Sequence, residues 1–224
     1  MTSSTAEFVT YRLRNATVHN WPFPHFFVEN VFPQDIYDKI VSELAEKQDF
    51  VEGAFRNRRF ATEVDLPDVQ FMNGREFTNN VVKIFPNDFL RRFPTGSAQL
   101  TNELRLVRDC QGYKIGPHTD AKWKMLSLLF YMPSRNTDYW SNEEYGTRLY
   151  IPKDRQFTCE GGPHHGFENF DEVASFPFRP NCCLGFWKTN RSFHGVPPIP
   201  VQFQRDVLLF NVYEQQLTPD SHGT

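Results

Sequence analysis

One residue separates His118 from Asp120 in the run Gly112-Tyr113-Lys114-Ile115-Gly116-Pro117-His118-Thr119-Asp120. In extended backbone, side chains two positions apart leave the same face, so an imidazole and a carboxylate at this spacing can meet one metal ion. Such a triplet arises readily by chance, and the pair needs a third ligand. His194, in Asn190-Arg191-Ser192-Phe193-His194-Gly195-Val196, lies where a β-region folding back on itself brings it beside the pair. Two imidazoles and one carboxylate hold Fe(II) on one triangular face and leave the opposite positions open for a co-substrate and dioxygen, whereas a structural zinc site is closed. His164 and His165, in Gly161-Gly162-Pro163-His164-His165-Gly166, are rivals for the third place. Their glycine-rich tract reads as a loop, and ligands are better held on strands.

Arg205 is the second signal. It follows His194 by eleven residues, stands after Pro197-Pro198-Ile199-Pro200, and leads into Val207-Leu208-Leu209-Phe210. An arginine entering so apolar a strand requires an anionic partner to offset desolvation. A bound carboxylate fits a guanidinium fork through paired, charge-assisted hydrogen bonds. A bridge to Asp206 or to another surface acid is the plainer alternative. Lys122, Trp123, Lys124 and Arg148 could reach the rim of a site, but solvated charges on a sheet edge are an equal reading. His25, between prolines and phenylalanines, reads as structural, Phe186 and Trp187 as core, and His19 and His222 carry no signal.

These residues need a scaffold, and the chain supplies two kinds of segment. The aromatic and proline-rich stretch Trp21–Val28 forbids a helix and suits an edge strand. From Pro33 to about Lys47, Ile36, Ile40, Val41 and Leu44 recur at spacings of three and four and predict a helix. Shorter helical stretches are expected from Phe77 to Phe85 and from Asn87 to Phe93, each followed by a proline. After Gly96, apolar runs alternate with turn residues: Leu104–Val107, Trp123–Met132, Thr147–Ile151, Val173–Phe178, Cys182–Trp187 and Val207–Tyr213. The expected fold is mainly β with N-terminal helices, a double-sheet jelly roll with helices on one face. One domain is expected over 1–224, with helical and strand support in 1–95, a jelly-roll core carrying the metal site in 96–216, and a tail in 217–224.

Composition narrows the classes further. With 23 Phe, 8 Tyr and 4 Trp there is ample material for a core, and a net charge of -3 disfavours a nucleic-acid partner. The basic clusters Arg56-Asn57-Arg58-Arg59 and Arg91-Arg92 read as solvated faces. The four cysteines form no C-x-x-C pair and are expected to be reduced and buried. No stretch approaches the ~20 apolar residues that span a bilayer, and the first residues lack a signal peptide's apolar centre, so a cytoplasmic location with no membrane partner is expected.

The ordered set of residues resembles the prolyl-4-hydroxylase-like branch of the Fe(II)/2-oxoglutarate-dependent oxygenases. Beyond the triad and Arg205, the resemblance rests on Pro22-Phe23-Pro24-His25-Phe26, Gly112 to Asp120, Leu126-Ser127-Leu128-Leu129-Phe130-Tyr131, Gly146-Thr147-Arg148-Leu149-Tyr150 and Phe178-Arg179-Pro180-Asn181. It implies a cupin-like double-stranded β-helix, with iron held by His118, Asp120 and His194. It also implies 2-oxoglutarate as co-substrate, its distal carboxylate on Arg205, with Tyr113 or Tyr131 adding a hydroxyl. The implied reaction is hydroxylation of a small metabolite, amino acid or peptidyl substrate with consumption of dioxygen and release of succinate and CO2. Many relatives carry Ser or Thr two residues after the arginine, where this chain has Val207. Asp120, standing where halogenating relatives have a small residue, leaves no coordination position for halide. The alternatives are a non-catalytic jelly-roll sensor and a cupin enzyme using zinc or manganese. A nucleic-acid demethylase is disfavoured by the acidic balance. Neither the substrate nor an oligomeric state is specified by the sequence.

Overall fold

The computed structural model describes residues 2–53, 57–85, 99–133, 145–199 and 203–215. The predicted helix Asn87–Phe93, the cluster Arg91-Arg92 and the tail 217–224 lie outside these. Among the described residues three α-helices precede most of the sheet: α1 (Thr2–Arg14), α2 (Gln34–Glu46) and α3 (Arg75–Val82). The proline-led periodic segment forms α2, with Pro33 at its start, Asp35 complementing the dipole in the first turn, and Tyr37, Ile40 and Leu44 buried. Arg108 donates to the Leu44 carbonyl at 3.1 Å, satisfying one of the acceptors that a helix end leaves open.

Eleven strands follow the chain as β1 (His25–Glu29), β2 (Phe50–Glu52), β3 (Arg58–Ala61), β4 (Gln99–Asp109), β5 (Ile115–His118), β6 (Lys124–Tyr131), β7 (Arg148–Pro152), β8 (Phe170–Ser175), β9 (Cys182–Trp187), β10 (His194–Val196) and β11 (Arg205–Gln215). They build two sheets, one ordered β1-β9-β6-β11-β4-β3-β2 and one ordered β5-β10-β7-β8. All the pairings are antiparallel. The fold is therefore a double-stranded β-helix, with β1 at one edge of the larger sheet, the place predicted for the proline-rich lead-in.

Period-two alternation divides the core. Leu126, Leu128 and Phe130 of β6 and Leu208, Phe210 and Val212 of β11 meet the helices, packing with Val9, Leu13, Tyr37, Ile40 and Leu44. The opposite faces turn toward the smaller sheet, where Val107, Tyr113, Tyr131, Leu149, Leu184, Phe186, Val196 and Val207 form a second apolar cluster. Because the two sheets close over this inner face, any polar residue placed on it by the alternation must find a partner there.

Several boundaries differ from expectation. Helix α1 was not foreseen in the polar N-terminal segment, although Thr5, Val9 and Leu13 are buried at spacings of four. The second predicted helix begins at Arg75 and ends at Val82, where the Ile84 N–H turns back to the Val81 carbonyl. Phe85 precedes a proline and so disfavours helical backbone. Strand β8 lies upstream of the predicted Val173–Phe178, because Pro177 lacks an N–H to continue the ladder.

Candidate metal and oxo-acid site

Strand pairing places the two histidines. β10 runs antiparallel to β5 with His194 directly opposite His118, and their ring centroids are 4.4 Å apart. Asp120 sits in the turn just past β5, not within the extended strand that the H-x-D spacing suggested. That turn is tied down from its other side, since Thr119 donates to the Cys159 carbonyl at 2.8 Å and accepts from the Gly161 N–H at 3.1 Å. Gly161 adopts φ +88°, a left-handed conformation that suits glycine, and a Cβ there would approach the Asp120 carbonyl to 2.9 Å. The result is that one ligand atom from each of His118, Asp120 and His194 lies within 4.8 Å of the others.

Each candidate ligand is oriented by a second contact. Nδ1 of His118 lies 3.0 Å from the Gly116 carbonyl, and Nδ1 of His194 lies 3.0 Å from the Ser192 carbonyl. A carbonyl only accepts, so both rings carry the proton on Nδ1 and present the Nε2 lone pair to a metal. On Asp120, Lys124 donates to one oxygen at 2.9 Å and Ser127 to the other at 2.8 Å. Burial raises the Asp120 carboxyl, but the Lys124 ammonium beside it outweighs this and holds the group well below the usual carboxylate range. Burial lowers both His118 and His194, keeping them neutral and ready to ligate. Outer partners of this kind typically hold about 10–100-fold in metal affinity. Ser127→Ala is accordingly expected to weaken iron binding by roughly that factor in a chelator competition. Unchanged affinity would show that Asp120 needs no such support.

The same two histidines set a pH dependence for the metal-free protein. Their folded values lie below the ordinary 6.5, so the unfolded chain binds more protons once pH drops through 6.5. Stability is then lost as pH falls through that value. The Asp120 contribution is present above 3.8 and disappears at still lower pH. Calorimetry of the metal-free protein is expected to show Tm falling between pH 7 and pH 5. A flat Tm across this interval would mean that the rings are not buried neutral.

His118, Asp120 and His194 border one cavity together with Arg58, Tyr113, Lys124, Ser127, Thr147 and Arg205. A larger cavity of about 650 Å³ lies between α1 and α3, lined by Glu7, Tyr11, Phe77 and Asn80, and none of the three ligating residues borders it. Arg205 is 1 % exposed. Its partner within the protein is not Asp206, which pairs with Arg108, but the fully buried Asp109, at 2.7 Å. Its second terminal nitrogen donates to the Thr147 hydroxyl at 3.0 Å. Tyr131 and Phe178 flank the guanidinium with ring centroids at 5.4 and 5.3 Å. The Tyr131 hydroxyl accepts from the Thr147 N–H at 3.2 Å.

Two buried polar atoms at this cavity have no partner among the described residues, the Tyr113 hydroxyl and Nε of Arg205. Burial raises the Tyr113 phenol, which therefore stays protonated and able to donate. An unmet phenol donor, an unmet guanidinium donor and three converging metal ligands fit a metal-chelating acid with a second carboxylate.

Sequence reasoning missed Arg58, and it weighed Lys124 as a rim or sheet-edge residue without foreseeing its bond to Asp120. Arg58 was read as part of a solvated cluster, yet it pairs with Asp109 at 2.5 Å and lies over the Tyr113 ring at 4.3 Å. Lys124, four residues past Asp120, could have been found from that spacing. His164 meets the His118 ring edge-on at 4.6 Å but is not one of the three grouped residues, and His165 packs among Phe157, Phe170 and Phe193. Arg148 pairs with Glu172 at 2.6 Å, and Trp123 is exposed. The four cysteines are free, with Cys182 and Cys183 buried and Cys110 and Cys159 partly so.

Fold and site together define a double-stranded β-helix carrying two histidines and one carboxylate on a single face. No family model and no curated protein matches the chain by sequence. Solved structures match it by fold. The chain is similar to a prolyl hydroxylase from Trichoplax adhaerens in complex with a peptide fragment of the hypoxia inducible factor oxygen degradation domain, with TM-score 0.55 and 13% identity over 93% of this chain and 89% of that one. It is similar also to a Pseudomonas putida prolyl-4-hydroxylase, with TM-score 0.55 and 12% identity over 94% and 98%. A third is HygX from Streptomyces hygroscopicus with nickel, 2-oxoglutarate and hygromycin B bound, with TM-score 0.52 and 14% identity over 87% and 84%. At these identities the likeness establishes the shared fold.

Proposed function

We propose that this protein is an iron(II)- and 2-oxoglutarate-dependent oxygenase that hydroxylates an unactivated C–H bond, with a small metabolite as the first substrate class and a peptidyl side chain as the second. The observation that carries the reading is the convergence, on one cavity, of the His118, Asp120 and His194 donors with the unpaired Tyr113 hydroxyl and the unpaired Nε of Arg205. His118, Asp120 and His194 would hold the metal. Arg205 and Tyr113 would hold 2-oxoglutarate, Arg205 at the distal carboxylate, with Tyr131 buttressing the guanidinium through Thr147. The chemistry supplied by ferrous iron and 2-oxoglutarate, when bound, is dioxygen reduction coupled to release of succinate and CO2 and to oxidation of the substrate.

The chain's own residues contribute position and water exclusion. Ser127 and Lys124 fix the Asp120 carboxylate, the Gly116 and Ser192 carbonyls fix the rings, and Phe186 packs on the His194 ring at 4.4 Å. Neighbours on this fold support either substrate class, since one is solved with a peptide fragment and another with hygromycin B. None of the described helices is long and apolar enough to cross a membrane. A screen of candidate substrates by succinate release tests the reaction. Release that requires Fe(II), 2-oxoglutarate and dioxygen together supports it, and release of no succinate under any combination contradicts it.

A further inference from the structure

Three strands of the larger sheet set three charged residues in one row. Arg58 of β3 is the register partner of Asp109 of β4, and Asp109 is the register partner of Arg205 of β11. The Asp109 side chain is fully buried and divides its oxygens between the two guanidinium groups. Nε of Arg58 lies 2.5 Å from Oδ1, Nη2 of Arg58 lies 2.9 Å from Oδ2, and Nη1 of Arg205 lies 2.7 Å from Oδ2. Two cations share one anion, so the row keeps one net positive charge. Arg58 and Arg205 both border the cavity of the metal triad, and Nε of Arg205 has no partner there.

We infer that Arg58 and Asp109 are positioning residues that set the charge selectivity of the co-substrate pocket, Asp109 aiming Arg205 and Arg58 supplying the surplus charge that one distal carboxylate neutralises. The inference rests on the reading of this cavity as a 2-oxoglutarate site. Without Arg58, Asp109 and Arg205 would form a neutral pair, and a second carboxylate would enter at the cost of competing with Asp109 for the same guanidinium. With the surplus cation in place, the entering carboxylate completes a two-to-two charge balance around the buried Asp109 and Arg205. Tyr113 is held in the same arrangement, because the Arg58 guanidinium lies on its ring.

The test compares two five-carbon oxo-acids, 2-oxoglutarate and 2-oxovalerate, which chelate alike but differ in the charge of the far end. Each is titrated anaerobically into the Fe(II)-loaded protein, and its Kd is read from the visible metal-to-ligand charge-transfer band. Wild type is expected to prefer 2-oxoglutarate by about 10-fold or more, the scale of one charge-assisted hydrogen bond. Arg58→Gln should abolish most of that preference while leaving the 2-oxovalerate Kd nearly unchanged, and Arg58→Lys should retain it. The double variant R58Q/D109N, whose row again carries one positive charge, should recover the preference. It carries the test even if Arg58→Gln alone fails to fold. A merely structural ion pair would alter stability but not the ratio of the two constants. An unchanged ratio in Arg58→Gln, or a double variant without the preference, overturns the inference while the function stands. A wild type giving a band with neither acid contradicts the function itself and removes the inference with it.

Discussion

His194→Ala protein is expected to fold and to lose iron-dependent activity altogether. His194 is 7 % exposed, and its ring meets His118 and Phe186 at 4.4 Å, so truncation opens a small space without stranding a charge. Its effect on the metal is of another order. Three candidate ligands converge among the described residues, and outer partners of such ligands alone are worth about 10–100-fold in affinity. Removing a ligand itself should therefore lower Fe(II) affinity by more than about 100-fold. Metal content after equilibration with a fixed free Fe(II) concentration, followed by succinate release, reads both consequences. Retention of iron at the wild-type level by His194→Ala would mean that another residue closes the face, and His164, edge-on to His118 at 4.6 Å, would be the first to examine.

Arg205→Ala is expected to raise the 2-oxoglutarate requirement by more than about 10–100-fold, the range for losing a hydrogen bond to a charged group, while leaving Fe(II) binding near wild type. This separation of effects distinguishes Arg205 from the triad. The substitution also carries a structural cost, because Arg205 is 1 % exposed and paired with the fully buried Asp109. Breaking a buried pair costs roughly 3–5 kcal/mol, and the lower end applies here because Arg58 continues to neutralise Asp109. For a chain of this size about 3 kcal/mol corresponds to a Tm decrease of roughly 6–12 °C. Titration of 2-oxoglutarate into the Fe(II)-loaded variant, alongside calorimetry, reads both. Unchanged affinity would assign the distal carboxylate to another residue.

The triad was legible because its evidence is local. His118 and Asp120 are two apart and therefore stay close in space, although Asp120 lies past the end of β5 and not in the extended strand that the spacing suggested. His194 needed the further expectation of a β-region that folds back, which the register of β10 on β5 fulfils by setting it opposite His118. Arg205 was legible through its apolar neighbours, which force an arginine on β11 to find an anion. The identity of that anion was not. Asp109 reaches Arg205 and Arg58 only because β4 lies between β11 and β3, and strand order across a sheet is not written in either segment. Arg58 was further disguised by its company, since Arg56-Asn57-Arg58-Arg59 reads as a solvated run until alternation turns Arg58 inward.

The same distinction holds for the fold. Helix α2 was foreseen because its periodicity and its proline both mark it. Helix α1 was missed because Thr5 stands at one of the buried positions among its described side chains, with Val9 and Leu13 at the others, and the apolar Phe8 lies off that face. Strands β2 and β3 escaped notice because they span three and four residues and carry charge. They are held by pairing to β4, which is a tertiary cause.

The most direct test of the central claim is optical. Purified protein is mixed without oxygen with Fe(II) and 2-oxoglutarate, and the visible spectrum is recorded beside that of His194→Ala. The structure predicts a weak metal-to-ligand charge-transfer band in the wild type that is absent from the variant. A wild type without the band at saturating iron and 2-oxoglutarate would contradict the oxygenase assignment and leave the double-stranded β-helix as a binding module or a cupin using another metal.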